Sequence, residues 1–137
     1  MSTLTELEQR ILAELEEAGE ESVQTLAVTL LDGTGSRDEL MEFTSALISL
    51  VQNGFVLLSI SRDEARRLED LPMEASLKEI SRIDSYLDFD QSLGRWMDRR
   101  HTTPPYGPAY PYVVYTERGE ETARGILKRR GYRWWRK

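Results

Sequence analysis

The amino-acid sequence predicts one domain of the α+β class, mainly α-helical, and three observations predict it. Along most of the chain, apolar residues recur at intervals of three and four, which is the spacing of one buried helix face. Two runs only, at about 55–60 and 111–115, have the apolar, β-branched and aromatic composition of strands. The 137 residues are 39% hydrophobic, which is enough for a core, so residues 1–137 are expected to fold as a single unit.

Three helices are expected before the first strand. The first covers residues 3–18, where Thr3 or Thr5 can cap it with Glu6 or Glu8 completing a capping box, and its apolar stripe consists of Leu4, Leu7, Ile11, Leu12 and Leu15. The second covers about 22–31. The third begins at Ser36, which forms a capping-box pattern with Glu39, and it ends at Asn53-Gly54. The apolar spacing of this third helix predicts a buried stripe that consists of Leu40, Phe43, Leu47, Leu50 and Val51.

Between the two strands, residues 61–110 are expected to form an insertion that is mainly helical. A short helix is predicted from Ser61 to about Asp70, and Pro72 suits the first position of a further helix. The stretch 102–111 contains four prolines and is expected to be a loop. The apolar residues just before it, expected in one or two last helical turns, are Leu93, Trp96 and Met97.

The stretch "YVVYTERGEETARG" predicts a strand that is followed at once by a helix. The hydroxyl of Thr116 can accept from the free N–H groups of the first helical turn, so this residue is the expected cap. A small residue at Gly119 would let the helix lie close to another element, at a cost in helix propensity. The helix is expected to end at about Arg130, before the tail "GYRWWRK".

This order of elements resembles the winged helix-turn-helix domains of MarR- and PadR-like bacterial regulators. The stretch "VQTLAVTLL" resembles their positioning helix, and "SRDELMEFTSALISLVQNGFVLLSI" resembles a recognition helix that leads into the first wing strand. The stretch "VYTERGEETARGIL" is similar to a second wing strand and the helix after it. The resemblance implies a winged helix-turn-helix with a two-stranded wing, interrupted by a helical insertion at 61–110.

The resemblance also implies a function, which is that of a DNA-binding transcriptional regulator. Its partner would be double-stranded DNA, and the protein would be a homodimer. A recognition helix offers side chains to base edges, and bases around it contact phosphates. The candidates for these contacts are Arg37, Ser45, Ser49 and Gln52 on the helix, and Arg99, Arg100, Lys128, Arg129, Arg130 and Arg133 outside it.

The distribution of charge gives opposing indications on DNA binding. The net charge is −6, yet residues 91–137 carry eleven bases and four acids, a local charge of +7 that favours phosphate. On the predicted recognition helix, in contrast, Asp38, Glu39 and Glu42 would face phosphates unfavourably. The basic tail is therefore open to three interpretations: contact with nucleic acid, contact with a protein, or packing on the acidic face of its own chain.

The alternative function is a winged-helix interaction module that does not bind DNA. Aromatic residues lie among the bases of the insertion and the tail, and Trp, Tyr and Arg are favoured anchors of protein interfaces. The candidate interface residues are Trp96, Tyr132, Trp134 and Trp135.

No catalytic, metal or cofactor site is expected. His101 is the single histidine and the chain has no cysteine, so zinc sites and nucleophilic relays lack their residues. Asp84 and Asp88 are spaced to share a helical face, but 24 acidic residues produce such spacings by chance. No apolar run approaches the ~18 residues of a membrane span, and the first ten residues lack a secretory signal, so a cytoplasmic location is expected.

Overall fold

The computed structural model describes residues 3–61, 68–98 and 111–135 of the chain. Within these residues the chain forms six helices and six strands, which confirms the α+β class. In chain order they are α1 (Glu6–Ala18), β1 (Glu20–Ser22), α2 (Val23–Leu30), α3 (Arg37–Gln52), β2 (Val56–Ser61), β3 (Leu68–Asp70), α4 (Met73–Ile80), α5 (Ile83–Tyr86), β4 (Leu87–Asp90), β5 (Arg95–Asp98), β6 (Tyr112–Tyr115) and α6 (Glu117–Arg130).

Four strands form one antiparallel sheet in the order β1-β6-β2-β3. The two strands that the sequence predicts, β2 and β6, pair directly, with Val56 opposite Tyr115 and Ser59 opposite Tyr112. Strands β1 and β3 are the two edge strands of this sheet, and each has three residues. Their sequences lack the apolar alternation by which a strand is recognised. The sheet therefore has four strands where the sequence predicts two.

Helix α1 is surrounded by other elements on several sides. The hydroxyl of Thr5 accepts from the Glu8 N–H at 3.2 Å, and the Glu8 carboxylate accepts from the Thr5 N–H at 3.1 Å, so the predicted capping box is complete. Ala13 and Glu14 are fully buried although they lie outside the predicted stripe, because α2, α3, α6 and the sheet all contact α1. The residues of that stripe that are fully buried are Ile11, Leu12 and Leu15.

Helix α3 follows its predicted boundaries. Ser36 caps it and accepts from the Glu39 N–H at 3.1 Å. Four of the five predicted stripe residues are fully buried, but Leu40 is only half-buried and its neighbour Glu39 takes a buried position. Glu39 precedes the buried Phe43 by four residues, so the two lie on the same side of the helix.

The prediction of a first helix in the insertion, from Ser61 to about Asp70, is wrong for its last residues. Residues Leu68–Asp70 form strand β3, which pairs with β2 so that Ser59 lies opposite Asp70. The hydroxyl of Ser59 also donates to the Asp70 carboxylate. Residues 62–67 lie outside the described part of the chain. The predicted helix after Pro72 is confirmed as α4, with Pro72 one position before it.

The second error concerns the end of the insertion, where a hairpin replaces the predicted helical turns. Strands β4 and β5 pair antiparallel, with Phe89 opposite Trp96 and their rings edge to face at 5.5 Å between centroids. A carboxylate oxygen of Asp90 accepts from the Leu93 N–H at 3.0 Å and from Ser92, which stabilises the turn. Asp84 lies in α5 and Asp88 in β4, so they do not share a helical face. The predicted proline loop at 102–111 lies outside the described residues except for Pro111.

The junction between β6 and α6 is tied to the turn that follows α3. Thr116 caps α6 by accepting from the Gly119 N–H at 3.1 Å, as the sequence predicts. The same hydroxyl donates to the Gly54 carbonyl at 2.6 Å, and the Thr116 N–H donates to the Phe55 carbonyl at 2.9 Å. A Cβ at position 119 would overlap the Phe55 carbonyl oxygen, so glycine is required there. The predicted close approach of this helix is therefore an approach to the backbone of Phe55.

We expect Gly119→Ala to destabilise the protein by about 2 to 3 kcal/mol, because the added methyl group separates α6 from the turn after α3. Gly125→Ala is the matched control on the same helix. A Cβ at Gly125 meets only the Arg129 guanidinium at 3.7 Å, and the change should stabilise the helix by about 0.5 to 1 kcal/mol. Urea unfolding followed by circular dichroism measures both effects, and equal effects of the two substitutions would contradict the packing role of Gly119.

Candidate functional site

The outward face of α3 is where the sequence places its DNA contacts, and the structure places these residues in two different settings. Arg37, Ser45 and Gln52 are exposed, as predicted. Ser49 is half-buried, and its hydroxyl donates to the carboxylate of Glu8 on α1 at 2.9 Å. At Ser49, this face of α3 is therefore joined to α1 instead of being exposed to solvent.

An open groove of about 940 Å³ runs along this face. One wall is α3 itself, through a row of residues at spacings of four, three and four: Asp38, Glu42, Ser45 and Ser49. The opposite wall is the first half of α1, and the end of the groove is formed by Leu30, Leu31 and Asp32 after α2. The groove thus lies between the three helices that precede the central strands.

The groove is strongly acidic. Six carboxylates line it, and among the described lining residues Arg10 is the single base. Arg10 donates to two carbonyl oxygens, of Leu30 at 3.4 Å and of Trp135 at 3.5 Å. The six carboxylates are Glu6, Glu8, Asp32, Asp38, Glu39 and Glu42.

The carboxylates of the groove differ in how far the chain itself satisfies them. Glu6 accepts two hydrogen bonds from the Arg130 guanidinium, at 2.8 and 3.1 Å, and these bonds lower the pKa of Glu6 below its ordinary value. Asp32, Asp38 and Glu42 are exposed and have no hydrogen bond or ion pair with any described residue. Three negative charges of the groove are thus left without a cationic partner within the described chain.

Glu39 lies at the point where α3, the turn before it and the hairpin meet. One carboxylate oxygen accepts from the indole N–H of Trp96 at 2.7 Å, and the other accepts from the Thr34 N–H at 3.2 Å. Burial alone would raise the pKa of Glu39, but the hydrogen bonds from Trp96 and from the N–H groups of Thr34 and Gly35 outweigh it, so the pKa is lowered. An ionised carboxylate therefore holds the hairpin against α3.

The hairpin β4–β5 covers the turn between α2 and α3. Gly35 has a φ of +72°, and a Cβ there would lie 2.5 Å from the ring of Phe89. The side-chain amide of Gln24 on α2 donates to the sulfur of Met97 on β5 at 3.6 Å. The predicted helix-turn-helix turn is thus packed under residues of the insertion.

Three bases of the C-terminal third are paired with acids of α1. Arg124 donates to Glu16 at 3.2 Å, Arg130 binds Glu6, and Arg133 lies 3.1 Å from Glu17. The Arg124–Glu16 and Arg130–Glu6 pairs run in opposite directions along the two helices, so α6 lies antiparallel to α1. Among the predicted DNA contacts on the tail, Lys128 and Arg129 are exposed, whereas Arg99 and Arg100 lie outside the described residues. Packing on the acidic face of its own chain is the interpretation of the basic tail that these pairs support.

Two of the four predicted interface aromatics face the interior. Trp96 is 4% exposed beneath α3, and Trp135 is 2% exposed and donates its indole N–H to the buried carboxylate of Glu14 at 2.8 Å. Trp134 is half-buried under the Arg130 guanidinium, whose central carbon is 3.5 Å from the ring centroid. Tyr132 alone of the four is widely exposed, at 68%. Trp96 and Trp135 are therefore contacts within the chain.

The described residues contain no cluster of three or more acidic, histidine or cysteine side chains placed to hold a metal ion. None of the helices in the part of the chain that the structure describes has the length and apolar character needed to cross a membrane.

What the sequence did not identify is the groove itself, because its acids come from three segments of the chain: α1, α3 and the residues after α2. The position of Glu39, four residues before Phe43, was the one local signal that this acid faces inward.

We expect Trp135→Ala to destabilise the protein by about 3 to 5 kcal/mol, because it leaves a cavity and removes one hydrogen-bond donor to a buried carboxylate. Tyr132→Ala is the matched control in the same tail and should change the free energy of unfolding by no more than about 0.5 kcal/mol. Urea unfolding of both variants measures this difference. If Trp135→Ala left the free energy of unfolding unchanged, this result would contradict the structural role of the tail.

We expect Glu39→Gln to destabilise the protein at pH 7 by about 1 to 3 kcal/mol, because the amide accepts more weakly than the carboxylate. The lowered pKa of Glu39 in the folded state means that its contribution is complete above the unfolded value of 4.5 and is lost as the pH falls through the folded value. The difference from the wild type should therefore shrink below about pH 4.5. Urea unfolding between pH 7 and pH 3 checks this, with the exposed Glu74→Gln as control. A difference that is independent of pH would count against an ionised Glu39.

No protein-family model, curated protein or solved structure matches this chain. Its function is therefore inferred from three features: the acidic groove on α3, the hairpin over the α2–α3 turn and the ion pairs on α1.

Proposed function

We propose that this chain is a winged-helix protein that acts as a protein–protein interaction module and does not bind duplex DNA. The winged-helix part of the proposal is supported by the order of elements. Three helices precede β2, β2 pairs with β6, and α6 follows directly, which is the order that the sequence resemblance implies. The bacterial regulator and the homodimer that the same resemblance implies stay predictions.

The acidic groove on the outward face of α3 is the observation that carries the proposal. Phosphate contacts supply much of the affinity of proteins for DNA, and this face offers Asp38 and Glu42 where a DNA reader has bases or amides. A duplex seated there would also meet Asp32 at the end of the groove. The repulsion between these charges and the phosphates disfavours DNA at the helix that would have to read it.

The hairpin supports the same conclusion by its position. A recognition helix contacts base edges with its N-terminal residues. In this chain the N-terminal turn of α3 holds the hairpin through Glu39 and Trp96, and Gly35 before it lies against Phe89. The strands of the hairpin also carry two acids in β4, Asp88 and Asp90, and one base in β5, Arg95.

The basic third gives less support to DNA binding than its charge of +7 suggests. Arg124, Arg130 and Arg133 are engaged by carboxylates of α1, so they neutralise acids of the same chain. Lys128 and Arg129 remain exposed, as do Arg37 and Gln52 on α3, and these described residues favour the regulator as a second candidate. The contact surface of the module is assigned to the α3 groove and not to the tryptophans, because Trp96 and Trp135 face the interior.

We expect the full chain to show no saturable binding to a fluorescein-labelled duplex of about 30 base pairs at about 50 mM salt, up to about 100 μM protein. The physical reason is the repulsion of phosphates by the α3 face. Fluorescence anisotropy measures it, and Lys128→Glu with Arg129→Glu is the comparison variant. Binding by the wild type that weakens steeply with salt and disappears in this variant would overturn the proposal in favour of the regulator.

A further inference from the structure

We infer that the α3 groove binds a basic segment of a partner protein that also presents a large apolar side chain. This inference rests on the proposed function and adds the chemistry of the partner. It follows from the charge of the groove, its apolar residues and its length.

The charge selects a cationic occupant. Asp32, Asp38 and Glu42 line the groove, are exposed and have no cationic partner among the described residues. Glu6, which lines the groove, and Glu16 show what such carboxylates of α1 bind in this protein, because each holds an arginine of α6. Arginine or lysine side chains of a second protein would complete the acids of the groove in the same way.

The apolar residues of the groove favour an occupant that has an apolar side chain as well as positive charge. Met41 lies on α3 between Asp38 and Glu42, lines the groove and is 54% exposed. The half-buried side chains of Leu7 and Leu31 line the same groove. An unbranched thioether beside two leucines fits an apolar side chain of variable shape. A ligand with charge alone would leave Met41 exposed to water, so the expected partner segment is amphipathic.

The length of the groove sets the size of the occupant. Asp38 and Ser49 are eleven residues apart on α3, which corresponds to about 16 Å along the helix axis. This distance accommodates about three turns of a partner helix or about five extended residues. Nucleic acids and anionic membranes carry the wrong charge for this face, so a basic protein segment is the occupant that fits.

The test uses a fluorescein-labelled peptide of about 14 residues, built from Lys, Arg and Leu, with leucines at i, i+3, i+4 and i+7. Binding to the full chain is measured by fluorescence anisotropy at about 50 and 150 mM salt. A second peptide, in which serine replaces each leucine, has the same charge and no apolar face. We expect the wild-type protein to bind the first peptide about tenfold more tightly than the second.

Charge variants with a matched control locate the site. The combination of Asp38→Lys and Glu42→Lys should weaken binding of the leucine peptide by about tenfold or more. Glu74→Lys with Glu121→Lys makes the same change in net charge, at one exposed position in the first turn of α4 and one within α6. This control should change the affinity by no more than about twofold. Met41→Ala should weaken the leucine peptide about fivefold and leave the serine peptide unchanged.

The results that would overturn this inference differ from the result that would contradict the proposed function. Equal weakening by the two charge-reversed pairs would overturn the inference, because the attraction would then be general and not a property of the groove. Absence of peptide binding to the wild type would overturn it as well. Neither result requires DNA binding, whereas salt-sensitive binding of the duplex would contradict the proposed function itself. Circular dichroism of each variant verifies folding, which exposed positions such as Asp38 and Glu42 should leave intact.

Discussion

Because residue 119 carries no side chain, the backbone of α6 can touch the backbone of Phe55, and the rest of the structure depends on this approach. Thr116 reinforces it by capping α6 while donating to the carbonyl of Gly54. The turn after α3 and the junction after β6 are thereby held together, so β2 and β6 pair and α6 lies along α1. Without that approach the C-terminal helix could not hold its arginines against the acids of α1.

The position of α6 explains why the acids of this protein are used unequally. Arginines of α6 and the tail reach Glu6, Glu16 and Glu17, which are carboxylates of α1 that face the last helix or its end. No described base reaches Asp38 or Glu42 on α3. The net charge of −6 is therefore concentrated where the chain leaves its carboxylates unpaired, and the outward face of α3 is one such place. A helix that resembles a DNA reader by its position thus has a surface whose charge suits a basic protein.

The main differences between prediction and structure lie in the insertion and in the use of aromatic residues. Trp96 follows an apolar spacing that suits a helix, but its strand pairs with β4 and its indole N–H reaches Glu39, which lies 57 residues earlier in the chain. Trp135 reaches Glu14 across a separation of 121 residues. Both tryptophans look like surface anchors in the sequence because the buried carboxylates that accept from them are distant in the chain. The sequence likewise shows each acid of the groove, but it does not show that these acids lie together.

By itself, the sequence determined where the helices with local capping signals begin. Thr5 with Glu8, Ser36 with Glu39 and Thr116 with Gly119 are interactions over three residues, so a reader of the sequence can place the starts of α1, α3 and α6. Only the tertiary structure decided which acids are paired, which tryptophans are buried and which helices form the groove. Those outcomes depend on contacts between residues far apart in the chain, and such contacts form only when the packing of helices and strands brings their side chains together.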